Sequence, residues 1–189
     1  KDLPNAMSVI AIAPKGCLLY APDTYMKKIA VGPKAKGAIN IDASVEENIK
    51  AVAKALNKNI SDLTVIIQDR ERHKELIEEV RRIGARIKLF EEGDVAAAIA
   101  TAFDDTGVDI MMNIGGAPEG VIAAAALKCM GGDFQGKLMP QSKSEMDRCR
   151  QLGWTDERLS QTISMDDLAK GDDIFFVATG ISDGDLLKG

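Results

Sequence analysis

The hydrophobic and polar positions of this chain alternate between two periods from residue 44 onward. Short apolar runs of strand length are separated by segments in which apolar residues recur at the spacing of one helix face. The predicted strands are residues 64–68, 86–90, 108–114 and 173–179, and the predicted helices are residues 45–57, 70–83, 94–103, 118–130 and about 142–152. Strands that alternate with helices are typical of parallel strands joined by helical crossovers, so the pattern predicts an α/β layered fold.

The opening of the chain has a different, antiparallel character. Apolar residues 6–13 and 16–21 flank the turn sequence Pro14-Lys15-Gly16, which predicts a hairpin. Residues 25–31 predict a third strand. A short antiparallel unit is therefore expected ahead of the α/β part.

Composition narrows the classes of function. The 189 residues carry 24 lysines and arginines against 29 aspartates and glutamates, a formal net charge of −5. No segment combines basic and aromatic residues as nucleic-acid-binding surfaces do, so we expect no nucleic-acid partner. No apolar stretch approaches the roughly 20 residues that cross a bilayer, and no signal peptide is recognisable. With three cysteines that lack disulfide or metal-ligand spacing, the chain is expected to be cytoplasmic, reduced and free of membrane.

Polar residues cluster directly after the predicted strands. The segments are residues 69–73, 91–94, 115–120 and 178–185. Ligands of open α/β sheets bind outside the carboxyl ends of the strands, so we expect these segments to converge at one edge. His73, the single histidine, has no evident serine or cysteine partner and is assigned no role.

Residues 115–120, Gly-Gly-Ala-Pro-Glu-Gly, join a predicted strand to a predicted helix, with Pro118 in the first turn. Glycines allow backbone N–H groups to approach an anion closely, and Glu119 in such a loop indicates a metal ion between carboxylate and anion. The alternative is a plain strand-to-helix turn in which the helix dipole favours Glu119. The residues of the loop alone leave both interpretations open.

The charged residues after the other strands also allow two interpretations. Arg70 and Arg72 can bind a phosphate through paired N–H donors, or they can be solvated charges at a helix start. Glu92 can accept sugar hydroxyls, whereas Asp94 is expected to cap a helix N-terminus. Tyr25 can face a ligand or pack in the core.

Several motifs together resemble one protein family. They are Asn5-Ala6 before an apolar strand, Ala-Pro-Asp-Thr-Tyr-Met at 21–26, Val-Gly-Pro at 31–33, Glu-Gly-Asp-Val-Ala at 92–96, Ile-Gly-Gly-Ala-Pro-Glu-Gly at 114–120 and Ala-Thr-Gly-Ile at 178–181. Over essentially its whole length the chain resembles class II fructose-1,6-bisphosphatases of the bacterial type.

This resemblance implies the layered α/β fold of the lithium-sensitive sugar phosphatases. It implies hydrolysis of the 1-phosphate of fructose 1,6-bisphosphate in gluconeogenesis, with Mg²⁺ or Mn²⁺ as cofactor, by a homo-oligomer. Some members also accept sedoheptulose 1,7-bisphosphate. Residues 1–43 are then antiparallel strands that complete an N-terminal subdomain, and residues 44–189 are a C-terminal α/β subdomain that binds sugar phosphate.

The resemblance also assigns site residues by position. Glu119 corresponds to a metal-binding glutamate of the family. The substrate-binding positions correspond to Tyr25, Arg70, Glu71, Arg72, Glu92, Gly93 and Asp94. The two arginines match the basic pair that meets the distal phosphate, and the last three residues match an Asp-Gly-Asp segment whose first aspartate is glutamate here.

One departure from the family concerns catalysis. Family members are longer, and an Asp-Pro-x-Glu-Gly-Thr motif with further acidic ligands precedes the segment that matches residues 5–13. The catalytic threonine belongs to that motif, so the resemblance places it upstream of Lys1. The chain also stops at Gly189, short of the usual end of the family, so we expect it to be a fragment that lacks the N-terminal metal-binding part and the C-terminal tail. One carboxylate cannot hold two divalent ions. These residues alone are expected to bind sugar phosphate weakly and not to turn it over.

Two other functions fit parts of the pattern. Gly115, Gly116 and Gly120 after a strand superficially resemble a dinucleotide fingerprint of an oxidoreductase. Their spacing differs from Gly-x-Gly-x-x-Gly, however, and Glu119 would repel a pyrophosphate without a metal. The alternative to the phosphatase is a non-enzymatic sugar-phosphate-binding or regulatory module, which needs no metal-binding motif.

Overall fold

The computed structural model describes residues 4–189, which contain eight strands and seven helices. These are β1 (Met7–Ile12), β2 (Tyr25–Val31), α1 (Val45–Ala55), β3 (Thr64–Gln68), α2 (Lys74–Ile83), β4 (Arg86–Phe90), α3 (Asp94–Ala100), β5 (Ile110–Gly116), α4 (Ala117–Cys129), β6 (Asp133–Met139), α5 (Lys143–Gln151), α6 (Asp156–Ser160), β7 (Ile163–Ser164), α7 (Met165–Leu168) and β8 (Phe175–Gly180). The α/β class is confirmed.

Lys1 lies outside the described residues. The expectation that a catalytic threonine precedes Lys1 therefore stays a prediction. The same holds for the division at residue 43 into two subdomains.

Six strands form one mixed sheet in the order β4-β3-β5-β2-β6-β7. The strands β4, β3 and β5 are parallel, as the alternation of strands and helices predicted. Strand β2 inserts antiparallel between β5 and β6, and β7 pairs antiparallel with β6. The chain passes from β3 to β4 on one side and returns to β5 on the other side of β3. The strand order therefore reverses between β3 and β5, which is where α/β sheets bind their ligands.

Two apolar cores cover the two faces of this sheet. One core packs α1 and α2 against a face that includes Val65 and Ile110. The other packs α3 and α4 against the opposite face, around Met111 and Phe134. The helices α2 and α3 that flank the strand-order reversal thus lie on opposite faces, so a crevice can open between them.

From Gly120 to Leu127, helix α4 is apolar on all sides, because it lies between two sheets. One side contacts the six-stranded sheet, and the other contacts β1 and β8, which pair in a separate two-stranded ribbon. Residues 123–126 are four consecutive alanines with at most 1% exposure. A helix without a polar face is expected to be buried, and the small side chains let both sheets approach. Pro118 lies in its first turn, as predicted.

The predicted hairpin is wrong. Strand β1 pairs antiparallel with β8, from Met7 opposite Gly180 to Ile12 opposite Phe175. The turn itself forms, since the Cys17 N–H donates to the Pro14 carbonyl at 3.0 Å. Residues 16–21 then continue as irregular chain rather than as a strand against β1. A turn signal in the sequence marks where the chain bends, but it does not fix which strand becomes the partner.

Strand β2 forms where residues 25–31 predicted it, but in the middle of the six-stranded sheet. It therefore pairs with strands far along the chain instead of with the opening segment. Strand β6 was not predicted, although Phe134, Gly136 and Leu138 alternate as buried residues along it. Because glycine and polar residues interrupt its sequence, β6 has no apolar run like those of the other central strands.

The helix boundaries follow local signals. Ser44 and Glu47 form a capping box at the start of α1, with hydrogen bonds of 2.8 and 3.1 Å. Gly84 ends α2 with a left-handed φ of 95°, a conformation that glycine adopts without strain. The predicted helix 94–103 stops at Ala100. No helix in residues 4–189 is long and apolar enough to cross a membrane.

Candidate functional site

A cleft of about 350 Å³ opens at the carboxyl ends of β3, β4 and β5, beside the strand-order reversal. Strand β2 places Tyr25 opposite Gly116 and so brings this tyrosine to the same edge. The cleft is lined by Met7, Val9, Tyr25, Gln68, Arg72, residues 92–96, Gly115, Gly116 and Glu119. Three of the four polar segments that follow predicted strands, residues 69–73, 91–94 and 115–120, therefore contribute to one cleft.

The fourth segment, residues 178–185, does not line this cleft. It begins in the last three residues of β8, which pairs with β1 and not with the parallel strands. Asp185 instead lines a neighbouring cavity of about 410 Å³, where its Oδ2 lies 2.7 Å from the Lys88 Nζ. The two cavities share Glu92 and Gly93. The prediction that all four segments form one site is wrong for this segment because its strand lies in the ribbon.

Arg72 spans a gap between the diverging ends of β3 and β5, which pair through only two residues each. Its Nε donates to the Ile114 carbonyl at 2.9 Å, and its Nη2 donates to the Gln68 Oε1 at 2.9 Å. The guanidinium carbon lies 5.0 Å from the centre of the Tyr25 ring. These contacts fix the guanidinium against an aromatic face. Its Nη1 has no hydrogen-bond partner within residues 4–189, so it is available to an anion in the cleft.

His73 is buried in the same gap, a position that the sequence did not indicate. Its Nε2 accepts a hydrogen bond from the Ile114 N–H at 2.9 Å, so the Nδ1 carries the proton and donates to the Gln68 carbonyl at 2.8 Å. A neutral imidazole satisfies both contacts. Burial, with a smaller contribution from the nearby arginines, lowers the pKa of His73 below its ordinary value of 6.5. His73 is therefore a neutral bridge between the two strands.

Arg70 and Glu71 lie outside the lining of the cleft. Arg70 Nη2 pairs with the Glu92 Oε1 at 2.7 Å, and both side chains are partly solvated. Glu71 pairs with Lys74 at 2.7 Å and is 82% exposed. Such exposed pairs contribute little to stability, because solvent screens them. A substrate-binding role for Glu71 stays a prediction, whereas Arg70 reaches the rim of the cleft through Glu92.

Asp94 does not cap α3, contrary to expectation. The N-cap is Gly93, with a φ of 86°, and Asp94 is the first residue of the helix. Its Oδ2 instead accepts from the Lys28 Nζ at 2.5 Å and from the Asn113 Nδ2 at 3.4 Å. The side chain of Lys28, in the middle of β2, is 0% exposed. A buried ammonium needs a counter-charge, which explains why the Asp94 carboxylate turns to Lys28 rather than to the helix N–H groups.

The glycines of residues 115–120 make room for neighbouring side chains. A Cβ on Gly115 would overlap the Asp94 carboxylate, and one on Gly116 would overlap the Glu119 carboxylate. A Cβ on Gly120 would lie 2.6 Å from the Met26 Sδ. The loop is therefore shaped to fit two acidic side chains at the edge of the cleft.

Glu119 is suited to bind a metal ion. It is the third residue of α4 and is exposed at the cleft. Within residues 4–189, no donor or cation contacts its carboxylate. Carboxylate oxygens suit Mg²⁺ and Mn²⁺. The described residues contain no group of three or more metal-ligating side chains, so they fit one ligand of such a site.

Comparisons with known proteins identify the family of this chain. The family described as bacterial fructose-1,6-bisphosphatase, glpX-encoded, matches residues 1–189. Over 197 aligned positions, the chain is 44% identical to the D-fructose 1,6-bisphosphatase class 2/sedoheptulose 1,7-bisphosphatase of Synechococcus sp. (strain JA-2-3B'a(2-13)). It is 43% identical to the protein of that name from Microcystis aeruginosa (strain NIES-843 / IAM M-2473). Each alignment covers 98% of this chain and 56% of the relative, so the chain spans about half the length of these relatives. The chain belongs to the glpX-encoded bacterial fructose-1,6-bisphosphatase family.

Proposed function

We propose that this chain provides the sugar-phosphate-binding part of a metal-dependent fructose-1,6-bisphosphatase. The whole protein would hydrolyse the 1-phosphate of fructose 1,6-bisphosphate in gluconeogenesis, in the cytoplasm and as a homo-oligomer. The names of the relatives make sedoheptulose 1,7-bisphosphate a second candidate substrate. The supporting observation is that a fixed arginine, two acidic acceptors and an unpaired carboxylate meet in one cleft.

The side chains of the cleft suit the two ends of a sugar phosphate. The guanidinium of Arg72 offers N–H donors for phosphate oxygens. Glu92 and Asp94 offer carboxylate oxygens for hydroxyl groups, and each is paired with a cation, which reduces repulsion of an anionic ligand. A Mg²⁺ or Mn²⁺ ion at Glu119 would offset the negative charge of a phosphate. Catalysis needs ligands beyond this one carboxylate, so the absence of turnover by these residues alone stays a prediction.

The proposed function is tested by binding of fructose 1,6-bisphosphate through Arg72. A charged hydrogen bond contributes about 1.5–3 kcal/mol, so Arg72→Ala should weaken binding by about 10- to 100-fold. An NMR titration of the chain measures this affinity and locates the ligand. We expect the largest shifts at Tyr25, at residues 92–94 and at residues 115–116, which line the cleft.

Arg82→Ala is the matched control for that titration. Arg82 is an exposed residue of α2 that does not line the cleft, so its removal should leave the affinity unchanged. If the unaltered chain binds no fructose 1,6-bisphosphate at millimolar concentration, the proposed function is wrong. If the Arg82 and Arg72 variants lose affinity equally, the ligand responds to overall charge and not to this site.

Glu119→Gln should remove Mn²⁺ from the cleft, because the amide keeps the shape of the side chain and loses its charge. In the unaltered chain, Mn²⁺ should broaden the NMR signals of residues 115–121, and in the variant these signals should stay sharp. Glu75→Gln, on the exposed side of α2, is the control. Its NMR signals for residues 115–121 should broaden with Mn²⁺ as in the unaltered chain. Equal broadening in the Glu119 variant would mean that the metal is held elsewhere.

A further inference from the structure

Lys28 is a buried cation beneath the cleft that the proposed function does not yet use. Its side chain is 0% exposed, and its Nζ donates to the Asp94 Oδ2 at 2.5 Å. Asp94 itself is 11% exposed and lines the cleft. We propose that Lys28 is a positioning residue that holds Asp94 as the acceptor for a sugar hydroxyl, an inference that rests on the proposed function.

The two oxygens of Asp94 have different surroundings. The Oδ2 is occupied by Lys28 and, more weakly, by Asn113. The Oδ1 accepts no hydrogen bond from any group in residues 4–189. Because the contact with Lys28 fixes the carboxylate plane, the Oδ1 is the oxygen that can accept a hydrogen bond from a hydroxyl group in the cleft.

The surroundings of the pair restrict its movement. Asn113 lies opposite Lys28 in the register of β2 and β5 and directs its Nδ2 toward Asp94. Gly115 leaves the space that the Asp94 carboxylate fills, and a Cβ there would also lie 3.3 Å from the Lys28 Nζ. A carboxylate held on several sides is preorganised for a ligand, so little ordering is needed when the hydroxyl binds.

Stability alone does not explain a lysine at this position. The neighbouring residues on the same side of β2 are Met26 and Ala30, both 0% exposed in the apolar core. Replacing a buried ion pair by apolar side chains is often neutral or stabilising, so an apolar residue between them would suit the core. A charged pair at the base of a polar cleft instead indicates a function in ligand binding.

The Lys28–Asp94 pair also reduces the repulsion between the cleft and an anionic ligand. An unpaired carboxylate in the cleft would repel a bisphosphate, whereas a carboxylate neutralised by Lys28 still accepts a hydrogen bond from a hydroxyl group. Lys28 does not need to contact the phosphate to achieve this, and its buried side chain keeps it from doing so. Loss of Lys28 therefore has two effects. The unpaired Asp94 carboxylate repels any bisphosphate, and the less ordered acceptor weakens only ligands that carry hydroxyl groups.

Lys28→Met tests this prediction with two ligands in an NMR titration of the chain. Fructose 1,6-bisphosphate carries both phosphates and hydroxyls, and hexane-1,6-diol bisphosphate carries two phosphates without hydroxyls. The unpaired Asp94 carboxylate should weaken the binding of both bisphosphates. We expect the loss of affinity for the sugar to exceed the loss for the diol about tenfold, as for one charged hydrogen bond. A merely structural lysine would not change the ratio of the two affinities.

Lys27→Met is the control of matched charge. Lys27 is exposed, and its Nζ donates to the Ile41 carbonyl at 3.2 Å, away from Asp94. This variant should bind both ligands like the unaltered chain. If Lys28→Met does not fold, Lys28→Gln, which removes the charge and keeps a polar end group, should show the same selective loss.

The outcomes separate this inference from the proposed function. Unchanged affinity for fructose 1,6-bisphosphate in the Lys28 variant overturns the role of Lys28 and leaves the proposed function intact. An equal loss for both ligands also overturns it, because Lys28 would then act only through its charge and not by positioning Asp94. If the unaltered chain binds neither ligand, the proposed function and the role of Lys28 are both wrong.

Discussion

Replacing Gly115 by alanine should lower the free energy of unfolding by about 2–4 kcal/mol, because the added Cβ overlaps the Asp94 carboxylate. The carboxylate is held between Lys28 and Asn113, so moving it away breaks a buried ion pair. Urea denaturation measures this loss, and for a chain of this size the melting temperature should fall by roughly 5–15 °C. Binding of fructose 1,6-bisphosphate should fall as well, since Asp94 is displaced from the cleft.

Gly153→Ala is the control for the removal of a glycine as such. Gly153 has a φ of 86° and no heavy atom within 4 Å of the added Cβ. Only backbone strain then acts, which costs about 1 kcal/mol, and ligand binding should be unchanged. If the Gly115 variant is no less stable than the Gly153 variant, the Asp94 carboxylate can adopt another conformation without loss of stability. The packing argument for the loop would then be wrong.

The parts of the fold that the sequence predicted are those set by local patterns. The helix before Gly84, the parallel strands and the alanine-rich helix with Pro118 were all predicted from periodicity and cap residues. The partner of β1 was not, since Met7 pairs with Gly180, a residue at the other end of the chain. A single sequence contains no local signal for such a pairing, because strand periodicity does not specify a partner.

The site shows the same limit. The rule that ligands bind at strand ends correctly brought together Arg72, Glu92 and Glu119. Lys28 was missed because a lysine in a strand is usually solvated, and its partner lies 66 positions along the chain. Asp94 was then expected to act as a cap, the local role for an acidic residue at a helix start. The buried cation overrides that role because an unpaired ammonium costs more than an uncapped helix.

Lowering the pH below 6.5 should destabilise the chain through its single histidine. His73 is 0% exposed and neutral, with both ring nitrogens bonded. A proton on its Nε2 would face the Ile114 N–H and remove the acceptor. Because burial lowers the pKa of His73 below 6.5, the unfolded chain takes up the proton first as the pH falls. The stabilisation is complete above pH 6.5 and is lost between pH 6.5 and the lower folded-state pKa, by up to about 1.4 kcal/mol per pH unit.

His73→Gln should remove this dependence on pH. It should also lower the free energy of unfolding at pH 7 by about 2–4 kcal/mol, because the Gln68 carbonyl or the Ile114 N–H loses its partner. Urea denaturation between pH 5 and 7.5 measures both effects. The pKa values of Glu47 and Glu145 are lowered from 4.5 by hydrogen bonds to their carboxylates, so these groups titrate below that window. A slope of equal size in the variant would therefore assign the pH dependence to a group other than His73, and the strand bridge would not be its cause.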